Sequence, residues 1–181
     1  RNGTSVYVLD ILAYQGRLLL SGGMVDAVFA RRQVMVDFFR APPGEHDADK
    51  LYINPGYWHE KLTVGRGESE EVDEVRLKNS VYAYLDEFTR EFRDSHGDDD
   101  ASEALDELRE AVDGIFTESD VGLAVVSFDA SDVDDRLSRF NLADHLDYRI
   151  PKDYTFHAYW RFYAIAHSVR EYDRLNGECH D

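Results

Sequence analysis

The chain has 181 residues, 43% of them hydrophobic, which is enough to bury a core and argues against disorder of the whole chain. It carries 37 Asp and Glu against 20 Lys and Arg, a formal charge of −17; such a balance speaks against nucleic-acid binding, which needs clustered basic side chains. Cys179 is the single cysteine, excluding an intrachain disulfide and a cysteine-based zinc site, and no run approaches the roughly 18 apolar residues of a membrane helix.

Residues 5–20 are apolar on nearly all sides, which predicts a buried helix, with a hairpin turning at Gln15-Gly16 as the alternative. Ser21-Gly22-Gly23 stops this segment. From Met24 to Arg40, the residues Val25, Val28, Phe29, Arg32, Met35, Val36 and Phe39 fall at helical spacing and predict a second helix, ended by Ala41-Pro42-Pro43-Gly44. Leu51-Tyr52-Ile53 and Leu62-Thr63-Val64 flank Asn54-Pro55-Gly56, whose Pro-Gly pair suits a type II turn, so a small β-hairpin is expected near residues 51–64.

Ser69 is expected to cap a long helix carrying Val81, Leu85, Phe88 and Phe92 on one face and stopping at Gly97. A second helix opens at Asp98-Asp99-Asp100, with Asp100 and Glu103 spaced as a capping box and Ala104, Leu108, Ala111, Val112 and Ile115 facing inward. The short link predicts that these two form an antiparallel pair. Residues 121–128 are a short apolar run compatible with strand or helix. Ser131 and Asp134 predict a further cap, for a helix with Val133, Leu137 and Phe140, and Pro151 precedes a last helix over residues 153–175. The expectation is therefore one domain over residues 1–181 and a mainly α fold, a helical bundle with one small hairpin, with α+β as the alternative.

The acidic residues occur along the whole chain, and the basic side is almost all arginine, lysine standing only at Lys50, Lys61, Lys78 and Lys152. An acidic, lysine-poor surface becomes tolerable where concentrated salt shrinks the Debye length to about 3 Å. The composition resembles that of proteins from salt-in halophiles, which implies a high-salt setting, cytoplasmic or within a virion. Arg1 is not a translation start, so the chain is expected either to be preceded by further residues or to be processed. No secretory signal is visible, and Asn2-Gly3-Thr4 is a glycosylation triplet of the kind chance supplies once in this length.

The last helix is the most unusual segment, with Tyr154, Phe156, His157, Tyr159, Trp160, Phe162, Tyr163 and His167 within fourteen residues. Phe156, Trp160, Tyr163 and His167 share a face while Tyr159 and Phe162 point elsewhere, so the helix must be covered on several sides, by its own core or by a partner. Tyr159, Trp160, Phe162 and Tyr163 are the candidate partner interface. Arg161 and His167 resemble the Arg-x4-6-His signature of HEPN-type ribonucleases, in which paired helices of a dimer present both side chains to RNA. The resemblance is carried by those two positions, and Phe162 stands where that family usually has a polar residue. It implies a metal-independent ribonuclease with Arg161 and His167 catalytic.

No glycine-rich phosphate cradle, nucleophile elbow or dinucleotide fingerprint is present, and His59-Glu60 lacks the second histidine of a zinc-protease helix. The aspartates from Asp129 to Asp135 lack the glycine and terminal glutamate of a calcium loop, so no metal or cofactor is expected. Residues 31–40 are the only basic stretch that could serve a DNA-binding regulator, and Asp37 interrupts it. The leading expectation is a non-enzymatic structural or interaction subunit of a larger assembly from a halophilic archaeon or its virus, such as a head–tail connector or tail component. It would associate with itself or a protein partner, without a membrane; nucleic acid is a partner only in the alternative ribonuclease and DNA-binding readings.

Overall fold

The computed structural model describes residues 8–24, 26–31, 34–44 and 50–177. The Asn2-Gly3-Thr4 triplet, Val25, Arg32 and Cys179 lie outside the described residues. The chain is mostly helical with a small antiparallel sheet, and it groups into two compact units. Unit 1 takes residues 1–71 and 154–181; unit 2 takes 72–153.

In unit 1 the segment expected as a buried helix is a hairpin. Strands β1 (Leu9–Tyr14) and β2 (Arg17–Gly22) pair in register from Leu9↔Gly22 to Tyr14↔Arg17. Gln15 (φ 45°) and Gly16 (φ 75°) make the two-residue turn, both in the left-handed region that matches the twist of paired strands. The predicted second helix is also replaced. Strand β3 (Ala27–Ala30) pairs with β2, and only one short turn of helix, α1 (Met35–Phe38), follows. Adjacent Val28 and Phe29 lie on opposite faces of a strand rather than on one helical stripe, with Phe29 fully buried.

The expected hairpin over residues 51–64 does not form. Asn54 accepts a hydrogen bond from the Tyr57 N–H and caps helix α2 (Pro55–Glu60), with Pro55 at the first helical position. Proline there has no N–H to leave unsatisfied, so Asn-Pro starts a helix better than it turns a hairpin. Leu62–Val64 is strand β4, but it pairs with β3 and completes the order β1-β2-β3-β4. A bulge lies in that pairing: Leu62 stands opposite Phe29 and Val64 opposite Val28, so Thr63 is the extra residue.

The sheet is covered on one face by α1, α2 and the last helix, α7 (Phe156–Asn176). Leu18, Leu20, Ala27, Phe29 and Leu62 meet Phe39, Trp58, Ala158, Phe162 and Ile165 there. Edge-to-face aromatic pairs run through this core from Phe29–Phe39 (5.2 Å between ring centres) through Phe39–Trp58 (4.9 Å) to Trp58–Phe162 (6.0 Å). Thr155 caps α7 by accepting from the Ala158 N–H, and Gly177 (φ 70°) ends it.

Unit 2 follows its sequence pattern closely. Helix α3 (Glu74–His96) buries Leu77, Val81, Leu85, Phe88 and Phe92 and stops at Gly97. Its cap is Asp73, not Ser69, because the Asp73 carboxylate accepts from the Arg76 N–H. Helix α4 (Asp98–Ile115) buries Ala104, Leu108, Val112 and Ile115. Asp98, Asp99 and Asp100 form its first turn without a side-chain cap, so the Asp100–Glu103 capping box is not made. The two helices run antiparallel, with Asp86 bound to Arg109 at 2.9 Å and the Tyr82 hydroxyl bonded to Asp113. Burial, and after it that hydrogen bond, pushes the Tyr82 phenol up to about 12.

Residues 121–127 are helix α5 (Val121–Ser127), capped by Asp120. The helix expected after Ser131 is replaced by two 3-10 turns, Ala130–Asp132 and Asp135–Leu137, followed by a short helix, α6 (Leu142–His145). Asp129 and Asp134 cap the starts of these two turns, each accepting from a backbone N–H two residues on. Leu137 and Phe140 are nevertheless buried, as their pattern required. Two short strands, β5 (Glu70–Val72) and β6 (Lys152–Tyr154), form a two-stranded sheet.

Acidic residues occur in both units, but the net charge divides unevenly between them. Unit 2 holds 23 Asp and Glu against 9 Lys and Arg, a net −14, and unit 1 holds 14 against 11, a net −3.

Candidate functional site

Helix α7 buries one stripe, Ala158, Arg161, Phe162, Ile165 and Ala166, against the unit 1 core. At 100° per residue the opposite stripe is Phe156, Trp160, Tyr163 and His167. It is not covered: Phe156 is 66% exposed and Tyr163 56%, Trp160 is half-buried and His167 exposed. Tyr159, at 38%, sits on the margin of this stripe. His157, Arg170 and Arg174 lie exposed on the same helix, so the aromatic face has a basic and imidazole-bearing margin.

Of the four residues expected at a partner interface, Tyr159, Trp160 and Tyr163 reach the surface. Phe162 does not. It is fully buried, between Trp58 and Tyr154, whose ring centres stand 6.0 and 5.4 Å from its own. Its place at the surface is taken by Phe156, which begins the helix and shares the face of Trp160 and Tyr163.

Arg161 and His167 are not brought together. Arg161 is 2% exposed, and its Nη1 donates to the Ser69 Oγ at 3.0 Å and to the Gly65 carbonyl at 3.5 Å. Ser69 in turn donates from Oγ to the Gly65 carbonyl at 2.5 Å, so the guanidinium holds the 65–69 loop in place. Gly65 has φ 81°, and a Cβ there would stand 2.9 Å from the Asp26 carbonyl oxygen, which is why this loop needs glycine. Burial lowers the Arg161 pKa, against the raising effect of the Glu68 charge. His167 points to solvent on the opposite stripe.

Three buried nitrogens in unit 1 have no hydrogen-bond partner in the structure: Trp58 Nε1, His59 Nε2 and Arg161 Nε. His59 is otherwise held by Glu70, 3.5 Å from its Nδ1, and by the Tyr154 ring. A buried donor or acceptor left unmet costs on the order of 1–3 kcal/mol, so this core is less economical than that of unit 2, whose described residues contain no such atom.

The second open surface was missed in the sequence. On the sheet face away from the core, Leu12 stands opposite Leu19, Leu19 opposite Val28, and Val28 opposite Val64, one apolar row across all four strands. Leu12 is 60% exposed and Val64 52%. Tyr14, two residues along from Leu12, is exposed on the same face. The β4 bulge is what puts Val64 there, since without the extra Thr63 it would share the inner face of Leu62. The signal was available: residues 9–20 are apolar at both alternating positions on either side of Gln15-Gly16.

Among the described residues no group of three or more His, Cys, Asp or Glu side chains is placed to hold a metal ion, and no helix is long and apolar enough to cross a membrane. No protein-family model matches the chain, and no curated protein or solved structure shows significant similarity to it.

Proposed function

We propose that this chain is a non-enzymatic structural or interaction subunit of a larger protein assembly, working in concentrated salt in a halophilic archaeon or one of its viruses. The observation that carries this reading is the uncovered aromatic face of α7. Three large rings, Phe156, Tyr159 and Tyr163, stand in solvent beside a half-buried Trp160 on a rigid 21-residue helix. Tyr and Trp are favoured in protein interfaces because they bury large area at small entropic cost while their polar tips stay satisfied. The composition supports the salty setting, since a charge of −17 is solvated and screened where ions are concentrated. A virion connector or tail component is a concrete form of such a subunit.

The test is the mass in solution. In about 2–3 M KCl, light scattering on the full chain is expected to give an assembly heavier than the 20.8 kDa protomer. Phe156→Asp combined with Tyr163→Asp is expected to reduce that mass while leaving the circular dichroism unchanged. A mass unaffected by the double variant removes α7 as the assembly face, and a protomer at every concentration removes the reading.

A further inference from the structure

The geometry points to a second assembly surface, the outer face of the four-stranded sheet, and to its occupant: the same face of a second copy of this chain, related by a two-fold axis along the row Leu12–Leu19–Val28–Val64. The inference stands on the sheet alone and goes beyond the α7 reading.

Three observations select a second copy. The first is charge pattern. Asp10 lies on one side of the apolar row, opposite Ser21, and Arg17 lies on the other, opposite Tyr14. All four residues are exposed. Asp26, exposed just before β3, falls on the Asp10 side, because β3 begins next to Leu20. A two-fold rotation about the row exchanges the two sides. It sets the Asp10 side of each copy over the Arg17 side of the other, one strand away, so the face is electrostatically complementary to itself.

The second is shape. Each member of the row meets its own symmetry mate, apolar on apolar, at the roughly 10 Å spacing of stacked sheets. The third is net charge. The face belongs to the unit with net −3 rather than to the one with −14, so two such surfaces meet without a large repulsive term. A strongly basic partner would find two carboxylates at one margin only, with an arginine at the other.

Magnitude fixes how such a dimer must behave. Four strands of six, six, four and three residues at about 4.8 Å spacing give a face on the order of 300 Å² per copy. That is well under half the roughly 800 Å² per partner of a standard interface. The dimer is therefore reversible and concentration-dependent, with a dissociation constant in roughly the micromolar range or weaker.

Sedimentation velocity in 0.5 M and 2 M KCl, from about 10 to 500 µM protein, tests this. Wild type is expected to shift toward dimer with concentration. Leu12→Lys and Val64→Lys are each expected to raise the dissociation constant at least tenfold, while Leu123→Lys, an exposed position in unit 2, leaves it unchanged. In 0.5 M KCl, Asp10→Arg and Arg17→Asp are each expected to weaken the dimer severalfold, and the two together to restore it. Association that survives Leu12→Lys and Val64→Lys but is lost with Phe156→Asp and Tyr163→Asp would overturn the sheet interface and leave the α7 reading standing. Loss with the sheet variants alone would do the reverse. A wild type that never associates, or charge variants that fail to rescue each other, overturns the inference.

Discussion

Unit 2 carries 23 acidic residues against 9 basic ones and gathers its apolar side chains into one helical core with scattered exposed ones such as Leu123 and Tyr148, whereas unit 1 carries 14 against 11 and leaves rings and aliphatic side chains grouped on two outer surfaces. The contrast assigns different tasks to the two regions. In the proposed reading, the dense carboxylates on α3 and α4 would keep unit 2 hydrated in salt, and the near-neutral unit 1 would be the region whose apolar faces meet a partner. Among the described residues, unit 1 also bears the cost of a buried guanidinium and three buried nitrogens without a hydrogen-bond partner, which unit 2 avoids.

The largest effects test whether both cores are indispensable despite that difference. Leu85→Ala in unit 2 and Phe29→Ala in unit 1, both fully buried, are each expected to cost about 2–5 kcal/mol of stability in denaturant unfolding. Near-wild-type stability in Phe29→Ala would show that the aromatic core of unit 1 is dispensable, and would break the comparison there.

Salt comes next. Lowering KCl from 2 M to 0.1 M lengthens the Debye length from about 2 Å to about 10 Å and is expected to lower the melting temperature by roughly 5 °C or more. Neutralising variants on α4, such as Asp106→Asn with Glu110→Gln, should reduce that dependence, whereas Asp10→Asn in unit 1 should not. Equal effects at both places would mean that the charge asymmetry has no energetic counterpart.

A smaller effect concerns the buried charge. Arg161→Met removes a desolvated cation whose hydrogen-bond partners among the described residues are Ser69 and the Gly65 carbonyl, and is expected to leave stability within about 1 kcal/mol of wild type or to raise it. A loss above about 2 kcal/mol would show that holding the 65–69 loop outweighs the desolvation cost. Matched cap removals sharpen the comparison at the same scale: Asp73→Ala on α3 and Thr155→Ala on α7 are each expected to cost about 1 kcal/mol.

The smallest effect is a titration. The Arg136 guanidinium, and after it the Arg136 backbone N–H, holds the Asp134 carboxyl down at about 2. A depressed carboxylate pKa contributes stability that is complete above the unfolded value near 3.8 and is lost as pH falls through about 2. Carbon-detected NMR should therefore place the Asp134 midpoint near 2. Arg136→Ala should return it toward 3.8, and an unshifted midpoint in the variant would deny the pairing.

How much was legible follows the same division. In α3 and α4 each hydrophobic contact needed for the pattern lies within a turn or two, so Val81, Leu85, Phe88, Phe92, Leu108 and Val112 announced their burial, and Gly97 announced the break. In unit 1 the pattern misled because the sheet is apolar on both faces. Leu12 and Leu19 sit between Ile11 and Leu20, so the polar–apolar alternation that marks a half-buried strand is absent. The open apolar face of the sheet is thus what disguised the strands. At Asn54-Pro55-Gly56 the turn chemistry of Pro-Gly suggested a hairpin, whereas Asn54 caps a helix that begins at Pro55. On α7, geometry alone separated Phe162, packed on Trp58, from Tyr159 and Tyr163, which share its chemistry but face water. Arg161 read as a phosphate ligand from sequence; nothing in its spacing from His167 revealed that it would be buried against Ser69.

Hydroxyl-radical footprinting of the full chain in about 2 M KCl, at dilute and at concentrated protein, bears most directly on unit 1 as the assembling region. Phe156 and Tyr163 are predicted to lose most of their reactivity as concentration rises, while exposed positions of unit 2 such as Leu123 and Tyr148 keep theirs. Unchanged reactivity at Phe156 and Tyr163, or protection confined to Leu123 and Tyr148, would contradict the account.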